Sequence, residues 1–359
     1  MQLHTRTAVL CALAALTVLS TNSSVRANAS AADSVSTSVA TDLQDWNDAK
    51  RNRTVPVKLY LPTSKQNGPS PVLIFSHGLG GSRDAAQYLG EYLAKKGYIC
   101  VHVQHPGSDT AVARAAIFSN KGTGGGGGLG ALREMRNGFS KEKFSGVRAE
   151  LGKAANGQNL ILRVQDISFV IDELERRNKT DPLLAKRLDL SKIAVAGHSF
   201  GAGTALAICG QNYGTAANPR TATDPRVKAG VYLSAPVNVR GRQLSDVYGQ
   251  VKVPGIVMTG TEDSSPIGNT SAEARRIPFD GISAPHQYLV NFIGGDHAIF
   301  GGRSFRPQKS GDEQFHQQIN QIVGEFLDAY LLGDKSAQAW LDGDGAKNYF
   351  SKSAKFERK

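Results

Sequence analysis

The stretch over residues 193–209 constrains the fold more tightly than any other part of the sequence. Residues 193–196 form a short apolar run typical of a buried strand, and residues 200–209 are rich in alanine and leucine, which indicates a helix. Between them lies a Gly-x-Ser-x-Gly motif with Ser199 at its centre. A serine on so tight a turn adopts an unfavourable backbone conformation, and only small residues fit two positions away on either side. The motif is short, but its position between a strand and a helix predicts that Ser199 is a reactive nucleophile.

Strands and helices alternate on both sides of this motif. We predict strands over 55–62, 72–76, 98–103, 193–196, 227–233, 255–259 and 287–293, and helices over 85–96, 159–177, 200–209 and 315–332. Such strand–helix–strand units connect through right-handed crossovers and build a mostly parallel sheet with helices on both faces. The alternation breaks over about 108–159, which follows a central strand and contains a run of five glycines. We therefore expect an α/β fold with an insertion that helps to shape the mouth of a site.

The two ends of the sequence predict export and segments outside the fold. Residues 1–29 combine a positive start, an apolar run over 8–19 and a small-x-small cleavage site. This pattern is typical of a secretory signal peptide and is too short to span a bilayer. We expect a flexible leader over 30–44, one α/β domain over 45–333 and a basic tail over 334–359. The mature protein is thus predicted to be secreted or periplasmic, without stable insertion in a membrane.

Charge and cysteine content narrow the classes of partner. The formal net charge is +11, but the basic residues are scattered and the sequence has no nucleic-acid-binding motif, so no nucleic-acid partner is expected. Beyond the signal peptide there are two cysteines, Cys100 in a predicted strand and Cys209 in the predicted helix after Ser199. Both are expected to be small buried apolar residues, and a disulfide between them is the less favoured alternative.

A serine hydroxyl becomes a good nucleophile only when a base takes its proton during the attack. The candidates for that base are His286, His297 and His316. His297 follows the predicted strand over 287–293, at the carboxyl ends of the parallel strands, where sites form. His286 precedes that strand at the opposite edge, and His316 lies on the closing helix, where we expect it to be solvated. His297 is therefore the predicted base.

An acid must hold this base in the correct tautomer and stabilise its protonated form. Asp263 follows the predicted strand over 255–259, which gives the chain order serine, acid, histidine. Neighbouring Glu262 points away from Asp263 on a turn, and its longer side chain suits a close approach less well. Asp296, adjacent to His297, is the other candidate, but we expect it to shape its own loop. The predicted acid is Asp263.

A nucleophilic serine also needs two fixed donors for the oxyanion that develops during the attack. The first is expected to be the backbone N–H of Phe200, the first residue of a helix whose dipole favours negative charge. The second is expected from the glycine-rich turn after strand 72–76, where the N–H of Leu79 is preferred over that of Gly80.

His102 and His105 are the pair that could suggest a metal site. Side chains alternate between the two faces of a strand, so residues three positions apart point in opposite directions. We therefore predict no metal site at this pair.

The sequence resembles the α/β-hydrolase superfamily over about 46–332. Within it, residues 75–80 (Phe-Ser-His-Gly-Leu-Gly) and 197–201 (Gly-His-Ser-Phe-Gly) resemble the platelet-activating factor acetylhydrolase and dienelactone-hydrolase-like branch of exported bacterial esterases. The resemblance implies a carboxylic ester substrate, no cofactor, Ser199 as nucleophile, His297 as base, and the N–H groups of Leu79 and Phe200 as oxyanion donors.

The chain departs from this branch in two ways. The acetylhydrolase family places its acid just after the strand that follows the helix of the motif, where this chain has residues 233–236 (Leu-Ser-Ala-Pro). The acid is therefore expected at Asp263, the commoner superfamily position, and phospholipid specificity is not implied. The nucleophile is a serine, unlike the cysteine of dienelactone hydrolase.

The sequence thus predicts a carboxylic ester hydrolase that forms an acyl-enzyme on Ser199 and releases it with water through His297. A polyester or cutinase-like hydrolase and a catalytically silent binding protein on the same fold are the alternatives, and acyl transfer to an alcohol is a third. The expected partner is a small-molecule, lipid or polymer ester. The sequence pattern sets neither the identity of that ester nor the oligomeric state.

Overall fold

The apolar runs of the sequence form one sheet of nine strands within the described part of the chain. A computed structural model describes residues 39–64, 67–119, 141–239, 241–302 and 309–359. The strands are β1 Val39–Asp48, β2 Arg53–Pro62, β3 Ser70–Ser76, β4 Ile99–Val103, β5 Leu188–His198, β6 Val227–Leu233, β7 Gly255–Glu262, β8 Gln287–Asp296 and β9 Ala354–Arg358. Their spatial order is β1-β2-β4-β3-β5-β6-β7-β8-β9. The strands from β4 to β8 in this order are parallel to one another, whereas β1, β2 and β9 pair antiparallel.

Helices cover both faces of the sheet. They are α1 Gln87–Lys95, α2 Thr110–Ser119, α3 Lys141–Ala154, α4 Gly157–Thr180, α5 Phe200–Ile208, α6 Leu244–Tyr248, α7 Ile277–Gly281, α8 Asp312–Leu327, α9 Lys335–Asp342 and α10 Gly345–Tyr349. Short 3-10 turns lie at Glu273–Arg276 and His297–Ile299, and a π turn lies at Asp328–Leu332. The predicted α/β-hydrolase fold, with a mostly parallel sheet between two helical layers, is confirmed.

The alternation of side chains along the central strands creates two separate cores. In β3, Val72 and Ile74 point to the face covered by α4 and α5, while Leu73 and Phe75 point to the face covered by α1 and α8. A strand that is buried on both faces reads as a continuous apolar run, which is why β3 was predictable from sequence.

Two segments that we predicted to lie outside the fold contribute strands to it. Residues 39–44 of the expected leader form the first half of β1, which pairs with β2 along its whole length. Residues 334–359, the expected basic tail, form α9, α10 and β9, and bury Leu341 and Phe350 completely. β9 pairs with β8 and closes that edge of the sheet. The signal peptide over 1–29 lies outside the described residues and stays a prediction.

The expected insertion over 108–159 contains α2, α3 and the start of α4. α2 and α3 pack through Ala116, Ile117, Val147 and Leu151. The Thr110 hydroxyl donates to the carbonyl oxygen of Gly81 at 2.9 Å, which ties α2 to the loop after β3. The five-glycine run lies outside the described residues.

Cys100 and Cys209 are buried and carry free thiols. Burial raises the pKa of both, that of Cys209 to about 12, so neither is a reactive thiolate near neutral pH. Among the helices that the structure describes, none combines the length and the apolar character needed to cross a bilayer.

Candidate active site

Ser199 stands on a strained turn between β5 and α5. Its φ is 54° and its ψ is −120°, an unusual conformation for a residue with a side chain. A Cβ on Gly197 would overlap the carbonyl oxygen of Gly201, and a Cβ on Gly201 would overlap that of Ser76. The turn can close only because both positions are glycine. The strain is held by a hydrogen bond from the Ser199 N–H to the carbonyl oxygen of Leu233 at 2.9 Å.

His297 and Asp263 meet Ser199 at the carboxyl ends of the parallel strands. His297 Nε2 lies 3.0 Å from Ser199 Oγ, and His297 Nδ1 lies 2.8 Å from Asp263 Oδ1. Asp263 is fully buried, whereas 15% of the His297 side chain is exposed. With Nδ1–H donating to the carboxylate, Nε2 presents a lone pair to the Ser199 hydroxyl. The structure thus brings together the three side chains that the sequence analysis selected.

Four further residues support this arrangement, and the sequence analysis did not single them out for it. Ser234 Oγ donates to Asp263 Oδ1 at 2.8 Å, and Thr259 Oγ1 donates to Oδ2 at 3.0 Å. The Arg275 Nε lies 3.3 Å from Asp263 Oδ1 and donates to the carbonyl oxygen of Asp263 at 3.0 Å. His198 Nε2 donates to the carbonyl oxygen of His297 at 2.9 Å. Two of them have a positional signal, since Ser234 follows β6 and His198 ends β5, whereas Thr259 and Arg275 have none.

Arg275 is almost completely buried in the layer beneath His297. Its Nη1 donates to the carbonyl oxygens of Ser234 at 2.7 Å and Ala235 at 2.9 Å, and its Nη2 lies 3.2 Å from His297 Nδ1. Burial lowers the pKa of Arg275, and the carboxylate of Asp263 opposes this shift. Asp263 is therefore the negative charge that balances a cation beside the imidazole.

The residues that carry the expected oxyanion donors, Leu79 and Phe200, line one cavity with Ser199. The Gly80 N–H donates to the carbonyl oxygen of Ser108 at 2.9 Å, so it is already engaged. In the described part of the chain, neither the Leu79 N–H nor the Phe200 N–H donates to a protein group. Leu79 therefore keeps its preference over Gly80, and the oxyanion hole stays a prediction.

Ser199 opens into a cavity of about 470 Å³, a volume within the usual range for small-molecule sites. Small and apolar residues dominate its described lining, which includes Leu79, Ala155, Pro236, Ile267 and Ala298. Leu79 and Phe200 line the same cavity as Ser199 and His297. Gly152 of α3 and Ala155, which follows α3, also line it, so part of the expected insertion borders this cavity.

The sequence matches the model of a known protein family. Residues 47–234 match the family model described as platelet-activating factor acetylhydrolase, isoform II. The chain belongs to this family. The resemblance inferred from the sequence is therefore confirmed.

Individual acetylhydrolases match at low identity. The platelet-activating factor acetylhydrolase of Cavia porcellus is 24% identical over 302 residues, which cover 81% of this chain and 64% of that protein. The protein of the same name from Canis lupus familiaris is 29% identical over 153 residues, covering 38% of this chain and 31% of that protein. That from Bos taurus is 26% identical over 190 residues, covering 51% and 38%. The chain thus spans less than two thirds of the length of these relatives.

The acetylhydrolase match ends at Ser234, so it contains Ser199 but neither Asp263 nor His297. In this member of the family, the carboxylate that reaches His297 follows β7. Ser234 follows β6 with a φ of 54°, and its Oγ lies 2.7 Å from His297 Nδ1. The hydroxyl of Ser234 and the carboxylate of Asp263 thus both contact the Nδ1 edge of the imidazole.

The competing acid candidates are occupied elsewhere or exposed. Glu262 is exposed at the end of β7. Asp296 accepts from the Ala298 N–H at 3.0 Å and pairs with Lys309 Nζ at 2.7 Å. It shapes the loop that carries His297, as expected from the sequence.

The other histidines considered from the sequence are exposed or make contacts elsewhere in the fold. His286 is exposed at the start of β8. His316, which we expected to be solvated, is instead half-buried, because its ring stacks on Tyr88 at 3.9 Å between centres and its Nε2 bonds the carbonyl oxygen of Ile299. His102 Nδ1 bonds the carbonyl oxygen of Ala85, whereas His105 Nδ1 pairs with Asp166. Within the described ranges, no group of three or more histidine, cysteine or acidic side chains is arranged to hold a metal ion.

Proposed function

We propose that this chain is a serine ester hydrolase that forms an acyl-enzyme on Ser199. The observation that carries the proposal is the hydrogen-bonded line from Asp263 through His297 to Ser199, with distances of 2.8 and 3.0 Å, at the wall of a cavity. The family match supports the same reaction class, since its relatives are named acetylhydrolases.

In the first half of the reaction, Ser199 Oγ attacks the carbonyl carbon of the ester while His297 Nε2 takes the hydroxyl proton. The N–H groups of Leu79 and Phe200 donate to the oxyanion, and each such donor contributes about 100- to 1000-fold to kcat. The tetrahedral intermediate collapses, the bond to the alcohol oxygen breaks, and His297 returns the proton to the departing alcohol. In the second half, water repeats the attack and releases the carboxylic acid.

The layer beneath His297 gives Asp263 its role in this scheme. The hydroxyls of Ser234 and Thr259 hold the two carboxylate oxygens in place. The carboxylate then fixes the Nδ1–H tautomer and stabilises the imidazolium that forms during each half-reaction. Because the guanidinium of Arg275 lies beside His297, the negative charge of Asp263 is also needed to offset this cation.

We propose short-chain carboxylic esters, including acetyl esters of lipids, as the substrate class. The names of the relatives support acetyl esters. The cavity supports an apolar acyl group of limited size, because its volume is about 470 Å³ and small and apolar residues dominate its described lining. We further propose that the protein is exported, from the signal-peptide pattern of residues 1–29.

Hydrolysis of p-nitrophenyl esters of increasing acyl length tests the proposal, with wild-type protein, Ser199→Ala and Ser265→Ala. Ser265 is the matched control because it is a second serine among the residues that line the same cavity, and its hydroxyl oxygen accepts from the Gly268 N–H at 2.8 Å. We expect turnover of acetyl and butyryl esters that disappears in Ser199→Ala and persists in Ser265→Ala. A fluorophosphonate probe should label the wild type and not Ser199→Ala.

Other outcomes select the alternatives. Release of monomer from an insoluble polyester film would indicate a cutinase-like hydrolase. Formation of a new ester from an added alcohol would indicate acyl transfer. Absence of both turnover and probe labelling would contradict the proposal and favour a silent binding protein.

A further inference from the structure

Behind the proposed active site lies a second serine–histidine–aspartate array that the reaction does not use. Ser76 Oγ lies 2.9 Å from His105 Nε2, and His105 Nδ1 lies 2.9 Å from Asp166 Oδ2. All three residues have exposed fractions of 1% or less, and none of them lines the cavity in front of Ser199. A hydroxyl that no substrate can reach does not act as a nucleophile, so the array requires another explanation.

The charge of Asp166 fixes the hydrogen-bond directions in this array. Arg51 Nη1 and Arg53 Nε lie 2.9 and 2.7 Å from Asp166 Oδ1. Burial alone would raise the pKa of Asp166, but hydrogen bonds from His105 and Arg53 outweigh burial and lower that pKa to about 2. The ionised carboxylate accepts from His105 Nδ1–H, and the Nε2 lone pair of this ring accepts the hydroxyl proton of Ser76. The Ser76 oxygen keeps its lone pairs for a further donor.

That donor is Arg163, whose guanidinium has no exposed surface. Its Nη1 donates to Ser76 Oγ at 3.3 Å and to the carbonyl oxygen of His77 at 2.7 Å. Its Nε donates to Ser108 Oγ at 2.8 Å, and its guanidinium carbon lies 4.5 Å from the centre of the Phe200 ring. Arg163 therefore contacts both segments that carry the expected oxyanion donors, namely the loop that begins at His77 and the first residue of α5.

The loop after β3 is also fixed by the ring of its own histidine. His105 N–H donates to His77 Nε2 at 3.1 Å, which leaves Nδ1 protonated and able to donate to the Gly78 carbonyl oxygen at 2.6 Å. Burial and then the charge of Arg163 lower the pKa of His77 well below its ordinary value, so this ring stays neutral. The carbonyl oxygens of the loop are thus engaged on the protein side, and the N–H of Leu79 is left for the cavity.

From these contacts we infer that Arg163 is a positioning residue for the oxyanion hole, an inference that rests on the proposed ester hydrolysis. Backbone donors stabilise the tetrahedral intermediate only when they lie within hydrogen-bond distance of the oxygen that becomes negative. Arg163 joins the His77 carbonyl and the Phe200 ring to one planar group. It thereby sets the spacing between the N–H groups of Leu79 and Phe200, and the buried array holds it from behind through Ser76.

The test measures kcat and KM for p-nitrophenyl acetate in the full chain, in Arg163→Gln and in Arg163→Lys. We expect Arg163→Gln to lower kcat about 100-fold, the loss that a displacement of about 1 Å causes, with KM changed less than about threefold. Arg163→Lys keeps the charge without the planar group, so its kcat should be intermediate. A trifluoromethyl ketone, which forms a tetrahedral oxyanion on the nucleophile, should lose affinity in parallel with kcat.

Arg53→Gln is the matched control for loss of charge and of stability. Arg53 pairs with the same Asp166 and donates to the carbonyl oxygen of Pro106, but it contacts neither oxyanion segment. We expect its thermal midpoint to fall while kcat stays within about threefold of the wild type. Ser108→Ala removes one acceptor of Arg163 and should lower kcat about fivefold in a folded protein, the effect of one hydrogen bond.

Three results would overturn the inference. One is a wild-type kcat in Arg163→Gln. Another is a loss of kcat in Arg53→Gln as large as that in Arg163→Gln at an equal fall in thermal midpoint. The third result applies if Arg163→Gln does not fold, and it is a wild-type kcat in Ser108→Ala. Absence of Ser199-dependent hydrolysis in the wild type would instead refute the proposed function, and the inference would fall with it.

Discussion

Replacing Asp263 by asparagine tests whether this carboxylate is the acid that acts on His297. Asparagine keeps the size of the side chain but removes its charge. If the amide nitrogen faces His297, the ring must adopt the Nε2–H tautomer, which cannot accept the proton of Ser199. If the amide oxygen faces the ring, the tautomer survives, but the imidazolium that forms during the reaction loses its counter-ion.

The position of Arg275 makes the second case costly as well. Its Nη2 lies 3.2 Å from His297 Nδ1 and its Nε lies 3.3 Å from Asp263 Oδ1. Without the carboxylate, a buried cation faces a ring that must become positive. We therefore expect Asp263→Asn to lower kcat about 10,000-fold, which corresponds to about 5.4 kcal/mol in the barrier.

Asp296→Asn is the control, because it makes the same chemical change one residue from His297. Asp296 caps the Ala298 N–H and pairs with an exposed lysine, so we expect kcat to change less than about threefold. The assay is p-nitrophenyl acetate hydrolysis, with the folded fraction of each variant measured by circular dichroism. Asp263→Asn that keeps a tenth of wild-type kcat, or an equal loss in Asp296→Asn, would refute the assignment.

Three further predictions concern the serine turn and the buried histidines. Gly201→Ala would place a methyl group against the carbonyl oxygen of Ser76, so we expect little soluble protein; a soluble and active variant would contradict this reading of the turn. Ser199→Gly removes the side chain from a strained conformation, so we expect an inactive protein whose free energy of unfolding rises by about 1 kcal/mol. Urea unfolding measures this change, and a fall in stability would show that the turn is not strained. Burial lowers the pKa of His102 to about 3 and of His105 to about 4, so the unfolded chain binds these protons more readily. The contribution of these histidines to the free energy of unfolding should therefore be full above about pH 6.5. On acidification toward pH 4 it should fall by up to about 1.4 kcal/mol per pH unit for each histidine. A urea midpoint that is constant from pH 7.5 to 5 would contradict this.

The parts of the site that follow topological rules could be predicted from sequence. Ser199 was found because a tight strand-to-helix turn needs glycine at fixed offsets, a constraint that acts within five residues. Asp263 and His297 were found because parallel strands bring their carboxyl ends to one edge, so the residue that follows each strand is a candidate.

The supporting residues could not be predicted in the same way. Ser234 reaches Asp263 only because its backbone has a φ of 54°, and no sequence pattern predicts that conformation. Arg275 and Arg163 look like surface residues in a basic chain, since arginine is rarely buried. Their burial depends on carbonyl and hydroxyl acceptors supplied by segments that are distant in sequence.

The edges of the sheet were missed for a related reason. Residues 39–44 follow a stretch rich in serine, threonine and alanine, and residues 354–359 are largely charged. Edge strands show one side to water and often carry charge, so composition makes them look like tails. The central strands, which are buried on both faces, have no such ambiguity.

The five residues of β9 protect one edge of the sheet against aggregation. Gln287 N–H donates to the carbonyl oxygen of Lys359 at 3.0 Å, and the Lys359 N–H donates back at 2.9 Å, so the pairing with β8 continues through residue 359. Removal of 354–359 would leave β8, an apolar strand, as an open template for edge-to-edge aggregation. β9 thus covers the edge of β8 and protects the sheet against this misassembly.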